Sequence, residues 1–215
     1  MKAGRLYKIL SANFILILSF SSMGSAFAFP KEIILIRHAD KLNQAKPGPF
    51  LSPKGEIRSI AFANYYLNKF SEPDYIIATS PTDSGKGSSM REIQTVAPLA
   101  NILAERHPQT GFTILRHYRN TDGQELINDL LHDKKYNGKI ILICWHHAKI
   151  PQLLKGLGVA SAQKKLDVNN FDTVYVVKYD TSGNVTQFNL LQQQYNVLFN
   201  GSWKEFYKKL PVSSL

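Results

Sequence analysis

The chain has 215 residues, 44% of them hydrophobic, with a formal net charge of +10. That length supports a sizeable core, and the charge suits an anionic substrate or a solvated surface equally. With no Lys/Arg run interleaved with aromatics, nucleic acid is a poor partner, and a single cysteine, Cys144, excludes an internal disulfide.

Lys2, Arg5 and Lys8 lead into the apolar run "FILILSF" and then "SSMGSAFAFP". Ala26-Phe27-Ala28 fits the small-x-small cleavage rule, so residues 1–28 read as a signal peptide cut after Ala28. The apolar stretch is broken by Ser11 and Asn13, whereas a membrane span needs roughly 20 apolar residues. No cysteine follows it, which argues against a lipoprotein. The expectation is therefore a periplasmic or secreted protein with no stable membrane span after cleavage. Residues 29–215 form one domain, and removing the three leader charges lowers the net charge from +10 to +7.

Four runs are continuously apolar rather than alternating: Glu32–Ile36, Tyr75–Thr79, Lys139–Cys144 and Thr173–Tyr179. Such runs predict strands covered on both faces, as in a parallel sheet between helices. Cys144, inside the third, reads as a small buried hydrophobe. Ser52-Pro53 is a helix start, with Ile57, Ile60 and Ala61 following at helical spacing as far as Phe70. A second helix is predicted from about Met90 to Arg106, with Pro98 expected to kink or split it. Leu126 to Leu131 mark a third helix and Ile150 to Leu157 a fourth. After Thr173, two β-runs around Asp180–Asn184 predict a hairpin, and the tail from Gly201 is at most a short amphipathic helix. Strands alternating with helices predict an α/β three-layer sandwich, with a mostly parallel sheet and a C-terminal β-hairpin.

Ligands in open α/β sheets bind beyond the carboxyl ends of strands. The first strand ends in "IRHAD", presenting Arg37 and His38. The second ends in "ATSP" and, after a Gly/Ser loop, reaches "SSMREIQT" with Arg91 at a helix start. The third ends in "CWHH", presenting His146 and His147. Two arginines with two or three histidines at one sheet edge make a pocket for a dianion, and one histidine can serve as nucleophile.

These pieces resemble the histidine phosphatase superfamily, also called the phosphoglycerate mutase-like family. The matching stretches are "ILIRHAD", "LSPKGEIRS", "ATSP" with "SSMREIQTVAPLA", and "ILICWHHAKIPQLLKGLG", in the family's order over about Glu32 to Gly158. The Gly/Ser insert from Asp83 to Ser89 and the Trp-His-His ending are more similar to a bacterial exported subgroup than to glycolytic mutases. The resemblance implies a metal-independent phosphomonoester phosphatase without a cofactor, acting on a small phosphorylated substrate. His38 would carry a phosphohistidine intermediate, while Arg37, Arg91 and a second histidine hold the phosphoryl oxygens. None of the histidine spacings reads as a zinc site.

A carboxylic acid should protonate the leaving oxygen. The candidates lie in "TDGQELIND": Asp122 and Glu125 near the loop, with Asp129 further along. The His-Asp pair of the phytase branch is absent, which lowers phytase-like activity. Only one of two successive strand-end residues is expected to face the phosphate. Counting outward from the strand favours His146 and counting back from Ile150-Pro151 favours His147, with the balance to His147. Asp40 suits a structural or a functional role, Trp145 reads as packing, and His107, His117 and His132 read as solvated. The leader argues against a mutase. The alternative from another class is a phosphate-pocket binding or regulatory protein with little or no turnover.

Overall fold

The computed structural model describes residues 29–42, 48–81, 89–162 and 165–193. The predicted leader and the helix predicted from Gly201 lie outside the described residues. Six strands, β1 (Glu32–Arg37), β2 (Tyr75–Ala78), β3 (Ile114–Leu115), β4 (Ile140–Trp145), β5 (Thr173–Tyr179) and β6 (Val185–Gln192), form one sheet in the order β3-β2-β4-β1-β5-β6. β1, β2, β3 and β4 run parallel, while β5 and β6 are antiparallel to their neighbours. The apolar run of β5 reflects cover on both faces, which a mixed sheet between helices supplies as well as a parallel one. β3, only two residues long, is too short to carry a period and is absent from the sequence prediction.

Alternate residues of the central strands enter two separate cores. Ile34, Ile36, Leu142 and Cys144 pack beneath α1 (Pro53–Lys69) and α2 (Arg91–Arg106), against Phe62, Tyr66, Leu99 and Leu103. Ile33, Leu35, Ile141, Ile143 and Trp145 face the opposite layer, built on α3 (Gly123–His132) and α4 (Ile150–Gly156), against Leu126, Leu130, Leu153 and Leu154. Side-chain alternation along each strand divides the apolar run between the two layers. Pro98 lies inside α2 without splitting it. Of the expected kink or split, the split does not occur, and Val96, Leu99, Ala100 and Leu103 hold the helix to the sheet from both sides of the proline.

The loop after β1 is fastened by the start of α1. Ser52 caps the helix by accepting the Gly55 N–H at 3.2 Å, and its hydroxyl and N–H donate to the Asp40 carbonyl at 3.1 and 2.9 Å. Pro53 at the first helical position needs no N–H partner. A Cβ on Gly55 would overlap the Asp40 carbonyl oxygen, so a glycine there permits the helix to approach the loop. The Asp40 carboxylate is buried and paired with Arg58 at 2.5 Å and Lys54 at 3.3 Å, and Arg58 also pairs with Asp172. Asp40 therefore has a structural role.

Ser52→Ala should cost about 1 kcal/mol, the usual value of an N-cap side chain. Gly55→Ala should cost more, because the overlapped atom is backbone already held by two hydrogen bonds. Urea midpoints of the two variants check the ranking, and wild-type stability in Gly55→Ala would show that the loop yields.

Candidate active site

Parallel pairing aligns Arg37 of β1 with Trp145 of β4, so His38 and His146 leave the sheet side by side. His38 is wholly buried, with ring Nδ1 at 2.7 Å from the Ala39 carbonyl. A carbonyl only accepts, so Nδ1 carries the proton and Nε2 keeps its lone pair. That Nε2 is buried with no hydrogen-bond partner among the described residues. The rings of His38 and His146 lie 6.1 Å apart, and those of His146 and His147 lie 4.5 Å apart. One ring nitrogen from each of the three histidines falls within 4.8 Å of the others.

The expectation that a single tandem histidine faces the site assumed strand geometry. β4 ends at Trp145, and the chain turns at once, with the Lys149 N–H donating to the His146 carbonyl at 2.9 Å. Alternation does not extend into a turn, and both imidazoles reach the cluster. They differ in setting. His146 lines a cleft of about 260 Å³ with Ser80, Arg91, Glu92 and Asn120, and its Nδ1 accepts the Ala148 N–H at 3.3 Å, which leaves Nε2 to carry the proton. The Nδ1 of His147 is buried and unpartnered among the described residues.

Arg91 opens α2, and the helix itself ties that end to the loop after β1. Thr95 accepts the Ala39 N–H at 2.8 Å and donates to the Arg91 carbonyl at 2.7 Å, while Gln94 accepts the Leu51 N–H at 3.0 Å. Two of the residues in "REIQT" are thus fasteners rather than reagents. The Arg91 guanidinium donates to the Gly48 carbonyl at 2.6 Å and leaves Nε unpartnered among the described residues. Arg37 donates to the carbonyls of Val168 and Asn170 at 2.6 and 3.1 Å. Its guanidinium lies 3.8 Å from the centre of the Phe171 ring, a cation–π contact, and its Nε is also unpartnered.

Burial and the neighbouring cations set the charges. His38 is held down at about 3, first by burial and then by Arg37, Arg91 and His146, although its bond to the Ala39 carbonyl opposes the shift. His146 and His147 are each held at about 4, again by burial first and Arg37 second. All three imidazoles are neutral near pH 7. Arg37 is lowered by burial to about 10 and stays protonated. Glu92 is buried and its carboxyl is pushed up, chiefly by burial, with a hydrogen bond from Ser89 and the charges of Arg91 and Arg37 opposing.

The sequence-predicted acids are not brought into this cleft. Asp122 precedes α3 and accepts from the Arg119 N–H and guanidinium at 2.9 to 3.1 Å. Those bonds hold it at about 2, so it keeps no proton to give. Glu125 is exposed in the first turn of α3, and Asp129 accepts the Tyr118 hydroxyl at 2.6 Å. Glu92, missed from sequence, is the carboxyl that lines the cleft. The sequence signal that could have found it is its place directly after Arg91 at the start of α2. His107, His117 and His132 are exposed, and Trp145 is fully buried in the core beneath α3 and α4.

No protein-family model and no curated protein matches the sequence. Among solved structures, the protein histidine phosphatase SixA complexed with tungstate aligns at a TM-score of 0.50 and 16% identity, over 75% of this chain and 97% of that one. A phosphoserine phosphatase variant from Entamoeba histolytica in complex with phosphoserine aligns at 0.49 and 15%, over 76% and 98%. The phosphoglycerate mutase from Bacillus anthracis aligns at 0.44 and 14%, over 81% and 98%. These neighbours are members of the histidine phosphatase superfamily, and the chain has the α/β fold of SixA.

Proposed function

We propose that the protein is an exported, metal-independent phosphatase of small phosphomonoesters, working through a phosphohistidine on His38. The observation that carries this reading is the buried, unpartnered Nε2 of His38, its lone pair fixed by the Nδ1–H bond to Ala39. SixA, whose fold this chain shares, is described in complex with tungstate, an oxoanion of phosphate-like shape, and that supports an anion as the ligand.

In the proposed first step the Nε2 lone pair attacks phosphorus and the P–O ester bond breaks. Glu92, whose carboxyl burial pushes toward the protonated form, gives a proton to the leaving oxygen. In the second step water attacks the phosphohistidine, Glu92 takes the water's proton, and the P–N bond breaks to restore the lone pair. Arg37, Arg91 and the Nε2–H of His146 donate to the equatorial oxygens, where the charge of the transition state lies. Arginine suits this task because its planar fork serves two oxygens at once. His147, on the same turn, is a second donor. Splitting one displacement into two through a nucleophile explains why a neutral buried imidazole is useful here.

Rapid-quench labelling with a phosphomonoester, in the presence of a chelator, should trap an acid-labile phosphoenzyme in the wild type and none in His38→Ala whose circular dichroism is native. Dependence of labelling on an added divalent ion would overturn the mechanism. Glu92→Gln should reduce turnover of an alkyl phosphate about 100-fold or more, as for loss of a general acid, and that of an aryl phosphate much less. Equal losses would make Glu92 a support for Arg91 rather than the acid. A protein that binds vanadate but forms no phosphoenzyme would support the binding-protein alternative.

The leader supports export, and no described helix is long and apolar enough to cross a membrane. Mass spectrometry of the envelope protein should find Phe29 as the first residue; retention of Met1 would favour an anchor.

The depressed histidines also link stability to pH. An unfolded imidazole titrates near 6.5, whereas His38, His146 and His147 are held at about 3, 4 and 4 in the fold. Between those values the unfolded chain binds protons that the folded chain does not, so stability falls as pH is lowered. The denaturation midpoint should drop between about pH 6.5 and about pH 4. A saturating oxoanion should lessen the drop, because its negative charge favours the protonated imidazoles. A midpoint flat across this window, with and without vanadate, would remove the three histidines from a buried anion site.

A further inference from the structure

The chemistry proposed above uses one lone pair, on Nε2 of His38, and the histidines around it supply donors. The same three side chains also have the composition of a metal site. One ring nitrogen each from His38, His146 and His147 lies within 4.8 Å of the others, although His38 is far from the other two in sequence and no local spacing predicts the grouping. We infer that His38, His146 and His147 form a site for one borderline transition-metal cation of the Zn2+ class, and that its occupancy blocks phosphoryl transfer by taking the lone pair of His38. The inhibitory half of this inference rests on the phosphatase reading, whereas the binding half does not.

Three features of the geometry support the site. First, the Nε2 of His38 is buried and has no partner among the described residues, so its lone pair is free for a ligand. Its Nδ1–H is held by a backbone carbonyl at 2.7 Å, the arrangement that fixes the orientation of metal-ligating histidines. Second, His146 and His147 sit on a turn rather than on the strand, so their rings can close on an ion. A tetrahedral site with Zn–N of about 2.0–2.1 Å has its nitrogens roughly 3.3 Å apart, which asks for a contraction that side-chain rotation can supply. The Nδ1 of His146 accepts only a long bond, 3.3 Å from Ala148; freeing Nε2 for a metal moves the proton to Nδ1 and gives that bond up, so the imidazole must also turn away from the Ala148 N–H. Third, three protein nitrogens leave a fourth position open, the arrangement of zinc sites that take an exogenous ligand.

Arg91 lines the cleft with His146, and Arg37 and His38 both meet the Phe171 ring, so two guanidiniums lie close to the cluster. They disfavour a bare cation, and this defines which ions bind. Hard cations such as Mg2+ and Ca2+ require several oxygen ligands, and three imidazoles beside two guanidiniums offer none. Zn2+, Co2+ and Cu2+ suit imidazole. An anionic fourth ligand, hydroxide or phosphate, lessens that repulsion by its charge. Occupancy by the metal and by a phosphoryl group on Nε2 are mutually exclusive, because both need the same electron pair.

The test uses the untagged mature chain, without substrate, and Co2+ as the probe. Titration should give the visible ligand-field bands of a tetrahedral nitrogen site, saturating at one ion per chain. Those bands should vanish in His38→Ala and weaken strongly in His147→Ala, a substitution at a partly exposed turn that leaves the fold as the control. His107→Ala, at an exposed histidine paired with Glu72, should bind as the wild type does. Zn2+ should displace Co2+ and suppress phosphoenzyme formation, Mg2+ should do neither, and a chelator should restore labelling. Absence of tetrahedral bands, or bands that survive both His38→Ala and His147→Ala, would overturn the site. Binding without suppression of labelling would overturn the inhibitory role. Because the spectrum is read without turnover, a chain that hydrolyses nothing still answers the first question.

Discussion

The parallel register of β1 on β4 is the constraint on which the rest depends. Arg37 stands opposite Trp145, so the next residue of each strand, His38 and His146, emerges at the same height on the sheet. A slip of one residue would move every side chain of β1 to the other face, exchanging the two apolar sets and sending His38 into the layer beneath α3 and α4. The register is therefore enforced by the two cores rather than by the site. Ile34 and Ile36 fit only against α1 and α2, and Ile33 and Leu35 only against the other layer.

A register fixes strand ends but not the loops that follow them. Those are held by short polar ties from helix starts: Ser52 on the Asp40 carbonyl, Thr95 on the Ala39 N–H, Gln94 on the Leu51 N–H. Thr95 joins the residue after the proposed nucleophile to the backbone of Arg91 through one hydroxyl that both accepts and donates. A second set of ties runs through Arg58, which pairs with Asp40 and Asp172 and so links the loop after β1 to the segment before β5. That segment supplies the carbonyls and the Phe171 ring that position Arg37. Motif residues that look like reagents in the sequence are in several cases the fasteners of reagents.

This distinction marks what was legible in the sequence. The long apolar strands and the capped helix α1 were readable because burial on two faces and Ser-Pro capping leave local signatures. The gathering of Arg37, His38, Arg91, His146 and His147 at one sheet end followed from the rule that strand ends carry sites. Three things were not readable. The direction of β5 leaves no mark on its composition. The turn at His146 begins one residue after the strand, where the two-residue period gives no warning that it has ceased to apply. Glu92 is not readable because nothing local marks a carboxyl in a helix's first turn as buried, and only burial, seen in three dimensions, shows that it is pushed toward its neutral form. Asp122 and Glu125 lie outside the cleft for the converse reason: an acid in a loop looks available, but Arg119 holds one ionised and the other is exposed on α3.

Among the described residues, the site carries several unmet polar atoms: Nε2 of His38, Nε of Arg37 and of Arg91, Oε2 of Glu92 and Nδ1 of His147. A buried polar atom without a partner costs roughly 1–3 kcal/mol, so a chain selected for stability alone would not collect five of them at one strand end. Their chemistry is also mixed. The guanidinium nitrogens ask for an acceptor, the imidazole lone pair for an electrophile or a cation, and the acid for a base. An oxoanion with an electrophilic centre meets all three demands at once, because its oxygens accept, its central atom receives the lone pair and its leaving oxygen takes the proton. A metal cation meets only the second demand and worsens the first. The same end of the sheet is thus better matched to a phosphoryl group than to the ion that competes with it, and the difference lies in the two arginines.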